Sequence, residues 1–133
     1  MKAKKITRET IREIGVQPRN FPDFEVGDAI EVGQRVIEGD KERIQMFEGD
    51  VIAKRNCGAS STFIVRRIAA NGVAVERIFP YYSPVIDSIK ILRKGDARRA
   101  KLFYMRRRIG KAARVKELVL SRGGRNKEGS AAE

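Results

Sequence analysis

Between Ala29 and Leu92 the chain falls into five short stretches of alternating apolar and polar residues, separated by turn residues and without any helical period. That pattern leaves room for little except a small, rolled β-sheet. Ile30, Val32 and Val36 alternate with Glu31 and Arg35. Ile44 and Met46 open the second stretch, and beyond Phe47-Glu48-Gly49 its apolar positions continue as Val51 and Ala53. The change of phase predicts a bulge or sharp coil at Gly49. Thr62–Ile68 and Val73–Phe79 flank Asn71-Gly72, a dipeptide suited to the positive φ angles of a tight hairpin. Ile86–Leu92 makes the fifth strand. The expected fold is mainly β, a small SH3-like barrel, with an OB-fold as the alternative.

Before the barrel, Ile11 and Ile14 lie three apart with Ile6 on a neighbouring part of the same surface, and Gly15 and Pro18 follow. These predict a short amphipathic helix over Lys4–Ile14 with a glycine stop. After Gly95 the periodicity is mixed: Ala100–Tyr104 reads as a final strand and Ala112–Leu120 as a short basic helix. SRGGRNKEGSAAE, from Ser121 on, has the composition of a disordered tail. The organisation expected is therefore an N-terminal helix and link over 1–20, a barrel over 21–95, a basic extension over 96–120 and a tail over 121–133.

Charge separates the parts. Residues 1–92 hold 15 basic and 13 acidic side chains, a net +2, whereas residues 93–133 hold 14 and 4, a net +10. From Arg93 to Lys116 there are eleven cations and one acid, Asp96, interleaved with Leu102, Phe103, Tyr104, Met105, Ile109 and Val115. A disordered basic arm does not need such apolar residues; a segment that folds while presenting cations to a polyanion does. Arginine predominates, as suits bidentate bonding to phosphate. Of the two rings in the block, Phe103 is expected to pack inward and Tyr104 to make the polar contact.

Several function classes are disfavoured. The chain has no histidine, the commonest general base and metal ligand. Cys57 has neither a CxxC partner nor a histidine to activate it. Glu38, Asp40, Glu42, Glu48 and Asp50 lack the spacing of a calcium loop. Gly123-Gly124 stands apart from any phosphate-loop motif. No apolar run approaches the roughly 20 residues of a membrane span, and MKAKKITRET lacks the apolar core of a secretory signal. The expectation is a cytoplasmic protein with no enzymatic activity, cofactor, metal, membrane contact or small-molecule substrate.

Four stretches carry a family resemblance: VIEGDKERIQMFEGDVIAKR (36–55), STFIVRRI (61–68), GVAVERIFPYYSPVIDSIKILRKG (72–95) and RRAKLFYMRRRIGKAARVKE (98–117). In these, and in their order over roughly residues 1–118, the chain resembles the bacterial large-ribosomal-subunit proteins of the L nineteen family. The resemblance implies an SH3-like barrel with an N-terminal helix and a basic C-terminal extension. It also implies binding to large-subunit ribosomal RNA, contact with neighbouring large-subunit proteins, and a place at the small-subunit interface that contributes to intersubunit bridges.

The RNA-binding residues then expected are Arg43, Lys54, Arg55, Arg66, Arg67, Arg77, Arg93, Lys94, Arg98, Arg99, Lys101, Lys111, Arg114 and Lys116, with Tyr104, Arg106, Arg107 and Arg108 added from the basic block. The sequence departs from the family at Asn56-Cys57-Gly58, where a more glycine- and arginine-rich turn is expected. Ala69-Ala70-Asn71-Gly72 is one residue longer than the usual hairpin, and Ala74 stands in place of a glycine. A stand-alone SH3-like or OB-like nucleic-acid factor of translation or transcription is the rival reading, against which the uncompensated extension argues.

Overall fold

The structure, a computed structural model, describes Thr7, Val16 and residues 18–108 and 114–118. One antiparallel sheet contains β1 (Ala29–Glu38), β2 (Lys41–Arg55), β3 (Thr62–Ile68), β4 (Ala74–Pro80) and β5 (Ile86–Arg93), in the spatial order β4-β3-β2-β1-β5. The last three match the predicted strands to within one residue at each end. Asn71-Gly72 makes the β3–β4 turn, closed by an amide hydrogen bond from Ala69 to the Val73 carbonyl at 2.8 Å.

The sheet curls but does not close, so the expected barrel is corrected to an open one. β4 and β5 are its two edges and are not hydrogen-bonded to each other. Pro80, which has no amide proton, ends β4. The link to β5 is tied elsewhere: the Tyr81 amide donates to the Ser61 carbonyl at 2.9 Å, and the Arg35 amide to the Val85 carbonyl at 2.8 Å. A link of only five residues draws the edges together, so Phe79 of β4 and Ile86 of β5 enter one core with Phe24, Ile30, Val32, Phe47, Val51, Phe63, Val65 and Ile89. Side chains fill the seam where ladder hydrogen bonds would run.

No break occurs at Gly49. β1 and β2 pair without interruption from Glu38↔Lys41 to Ala29↔Asp50. The apparent change of phase is a change of face: Phe47 and Val51 enter the core, while Ile44 and Met46 lie exposed on the other side. The bulge sits further on, between Val51 and Ala53 in the pairing with β3. It leaves Ile52 as the extra residue, and Val51 and Ile52, consecutive on the strand, point to opposite faces of the sheet. Val51 and Ile52 are both fully buried. Val51 belongs to the first core, and Ile52 to a second with Leu102, Met105 and Val115.

This second core folds the basic extension onto the sheet. The expected strand over Ala100–Tyr104 shrinks to a single bridge, Ala53↔Lys101, and an amide bond from Leu102 to the Ile52 carbonyl at 2.7 Å. A 3₁₀ helix, Phe103–Arg107, follows. Its three-residue period puts Leu102 and Met105 on the sheet side. Phe103 is turned out and 39% exposed, so the expectation that it packs inward is wrong; Met105, 2% exposed, takes that place.

Residues 114–118 are extended rather than helical. Gly95 bridges Glu117, the Asp96 amide donates to the Lys116 carbonyl at 2.7 Å, and the Leu118 amide to the Lys94 carbonyl at 2.8 Å. Extension lets Val115 reach the second core while its neighbours pair with 94–96. The rest of the helix expected over Ala112–Leu120 lies outside the described residues. So do the helix over Lys4–Ile14, but for Thr7, and the 121–133 tail.

The return strand needs close contact at Gly95, where a Cβ would overlap the Gly27 carbonyl; Gly27 itself has φ +99°, which favours glycine. Beside them Asp28, 1% exposed, accepts hydrogen bonds from the Gly95 amide at 3.0 Å, the Glu25 amide at 2.9 Å and Lys94 Nζ at 3.0 Å. Asp28→Ala strips two partly buried amides of their acceptor and is expected to cost about 1–3 kcal/mol, with Asp28→Asn losing less. Urea denaturation of the three proteins measures this; equal midpoints would remove Asp28 from the junction's support.

Candidate nucleic-acid interface

The 3₁₀ helix and the extended return bring five cations of the basic block to one groove. A cavity of about 650 Å³ is lined by Asp96, Arg98, Arg99, Tyr104, Met105, Arg108, Arg114, Val115 and Lys116. Met105 and Val115 are its buried floor and belong to the second core. The apolar residues within the basic block therefore orient its charges.

Two guanidinium groups lie over the Tyr104 ring, Arg99 at 5.3 Å and Arg108 at 4.6 Å from its centroid. A cation over a ring is attracted by its quadrupole while still offering N–H donors outward. The expected polar contact at Tyr104 is thus a spacer that holds two arginines at the groove. Phe103 plays a similar part outside, with Arg106 at 4.5 Å and Lys101 at 5.9 Å.

Other expected RNA contacts are engaged within the protein. Arg43 closes the β1–β2 turn on Glu38 at 2.7 Å. Lys54 donates to the Phe24 carbonyl at 3.0 Å and lies 4.8 Å from that ring's centroid. Arg77 packs over Phe47 and Phe79. Arg93 meets Asp50 at 3.5 Å, and Lys94 meets Asp28. Arg66 Nη1 lies 2.7 Å from Glu76 Oε1, and Arg106 Nη2 lies 2.9 Å from Glu76 Oε2.

Arg55, Arg67 and Arg107 are exposed, and none forms an ion pair with a described carboxylate. Arg67 lines an adjoining depression of about 490 Å³ with Arg66, Arg93 and Arg114, where Glu48 and Asp50 oppose them; Met105 and Arg114 line both the depression and the groove. Lys111 lies outside the described residues.

Sequence reasoning missed the acids that sort these cations. Glu76 is the single acid between Asp50 and Asp87, a signal that could have marked it. It joins Arg66 of β3 to Arg106 of the extension. The hydrogen bond from Arg106, aided by Arg66 against some burial, holds its carboxyl below the ordinary range. Asp50 behaves oppositely: burial pushes its carboxyl up, against the pull of Arg93. Arg19 also escaped notice. It donates to the Tyr82 and Ser83 carbonyls at 3.2 and 2.8 Å and so pins the β4–β5 link.

The family profile of "Ribosomal protein L19" matches residues 4–118. The chain belongs to the ribosomal protein L19 family. It is 55% identical over 118 residues to the "Large ribosomal subunit protein bL19" of Campylobacter jejuni strain RM1221, covering 89% of this chain and 98% of that protein. The protein of the same name from Campylobacter hominis is 53% identical over 110 residues, 83% of this chain and 93% of that one. The L19 match includes the sheet and the described return strand, 114–118, so the groove lies within the family's span. Among the described residues, no helix is long and apolar enough to cross a membrane.

The Arg66 side chain is only 12% exposed, so Glu76→Gln leaves a largely buried guanidinium without its counter-charge. A loss of about 1–3 kcal/mol at neutral pH is expected. Because the folded-state pKa of Glu76 is lowered, its contribution is present above the unfolded value and disappears as pH falls through the folded value, below the model-compound 4.5. Denaturation of both proteins from pH 7 to pH 3 should show the gap closing at the acid end. A gap independent of pH would contradict the charge pairing.

Proposed function

We propose that the protein is a structural, non-enzymatic component of the large ribosomal subunit in the cytoplasmic ribosome, and that it binds large-subunit ribosomal RNA through the groove. One observation carries this reading. Arg98, Arg99, Arg108, Arg114 and Lys116 share a single cavity with Asp96 as its one acid, and none of the five forms an ion pair with a described carboxylate. With only Asp96 in the groove, and Asp50 acting on Arg114 from the adjoining depression, the remaining charges would repel one another. RNA phosphates supply the missing counter-charges, and the guanidinium forks match phosphate oxygens. The relatives' printed name, a large-subunit protein, agrees with that chemistry.

Recognition then runs mainly through the shape and backbone of RNA, because the A-form major groove is too narrow for side-chain reading. The family resemblance extends the reading to contacts with neighbouring large-subunit proteins and, at the exposed β1–β2 turn around Glu38–Arg43, with small-subunit RNA in an intersubunit bridge. Arg43 is tied to Glu38 in the free protein, so that turn reaches the interface with its charge already shaped.

Large subunits carrying Arg98→Gln, Arg99→Gln, Arg108→Gln and Arg114→Gln together should lose the protein in a salt wash that retains the wild type. Arg43→Gln with Arg106→Gln, which touches two internally paired arginines, should be retained. If five phosphates are contacted, log affinity for RNA should fall with log salt at a slope of about −3.5 to −4.5, and much less steeply in the fourfold variant. Equal retention of the fourfold variant and the wild type would remove the groove as the anchor.

A further inference from the structure

A third, smaller cavity lies at the start of β3, about 200 Å³ and lined by Lys54, Arg55, Asn56, Ser61, Thr62, Phe63, Tyr81 and Tyr82. It shares no residue with the cationic groove. Its volume is below the roughly 300–1,000 Å³ of sites for drug-sized ligands, which restricts an occupant to about one ring system. Its lining combines aromatic rings, hydroxyl and amide groups and an arginine, Arg55, that forms no ion pair with a described carboxylate, the mixture that receives an unstacked base.

The walls are held in place before any ligand arrives. Tyr82 packs edge-to-face on Tyr81 with centroids 4.9 Å apart, and Tyr81 in turn packs edge-to-face on Phe21 at 5.7 Å. Arg19 fixes the backbone carbonyls of Tyr82 and Ser83. The Tyr81 amide is bound to the Ser61 carbonyl, and Ser61 Oγ bridges the Cys57 amide and the Gly58 carbonyl. Lys54, also in the lining, is spent on the Phe24 carbonyl and Asp23. Arg55 beside it is exposed and forms no ion pair with a described carboxylate. One small cavity therefore carries both a tyrosine ring and a guanidinium.

We propose that this cavity is a nucleobase site: it takes one unpaired RNA base against Tyr82, with Arg55 on the adjoining phosphate and Asn56 and Thr62 offering hydrogen bonds to the base edge. The proposal rests on the reading of the protein as RNA-binding and adds a site that shape recognition through the groove does not need. In the assembled particle it would hold a bulged or terminal nucleotide, since a base inside a helix cannot enter. Asn56, in the Asn56-Cys57-Gly58 turn, lines the cavity, so this turn would tune the site.

Fluorescence anisotropy of the full chain with two labelled probes tests it: an eight-nucleotide oligoadenylate and an abasic ribose-phosphate oligomer of the same length and charge. The wild type should bind the oligoadenylate about 5- to 150-fold more tightly, the range for stacking one base. Tyr82→Leu should erase that preference while leaving abasic binding unchanged, and Tyr82→Phe should keep it. Arg55→Gln should weaken both probes. Equal binding of the two probes by the wild type, or a preference that survives Tyr82→Leu, overturns the base site and leaves the groove reading standing. Failure of both probes to bind in low salt overturns both.

Discussion

The burial of Ile52 is the contact on which the placement of the charge depends. Val51 and Ile52, consecutive in β2, point to opposite faces of the sheet and join two separate cores. The first core holds the curled sheet. The second, built with Leu102, Met105 and Val115, holds the cationic extension against it. Fully burying side chains of this size contributes about 1.5–3 kcal/mol each, which is the scale needed to keep a strongly charged segment folded. Without that apolar anchor the arginines would be a tethered cloud of charge; with it they line a groove.

Internal acids then divide the cations into two kinds. Asp28 and Asp50 hold Lys94 and Arg93 at the end of β5, and Glu76 joins Arg66 to Arg106 and so ties the extension to the sheet. Exposed pairs of this kind add little stability, but Asp28 and the Arg66–Glu76 contact are largely buried and carry structural weight. Cations without such partners collect around the Arg99–Tyr104–Arg108 stack. A count of arginines therefore overstates the RNA-facing charge, because part of it is already neutralised where it sits.

The strands were legible because a half-buried sheet imposes a two-residue period. Thr62–Ile68 and the Asn71-Gly72 turn could be placed from that period and one dipeptide. Reading Gly49 as the bulge failed because Ile44 and Met46, exposed apolar residues, looked like core and shifted the apparent phase. The true bulge at Ile52 leaves no local mark in VIA, since all three residues are buried. Phe103 was misplaced for a related reason: a two-residue period was assumed where a three-residue one operates, so Met105 was overlooked. The return strand at 114–118 depends on hydrogen bonds to Lys94 and Asp96 and on the bare backbone at Gly95, partners too distant for a local pattern to show. The candidate groove was foreseen as a composition of charge, not as a shape. Glu76, which decides the role of two arginines, acts across 30 residues.

Amide hydrogen exchange on the RNA-free protein tests most directly whether apolar packing, rather than RNA, arranges the groove. The amides of Asp96, Leu102, Met105 and Leu118 donate to the carbonyls of Lys116, Ile52, Leu102 and Lys94. They should exchange far more slowly than unstructured amides, and Ile52→Ala should accelerate all four while sparing β1–β2 amides remote from the bulge. Exchange of these four at unstructured rates in the wild type, beside a protected sheet, would contradict the account and assign the folding of the extension to its phosphates.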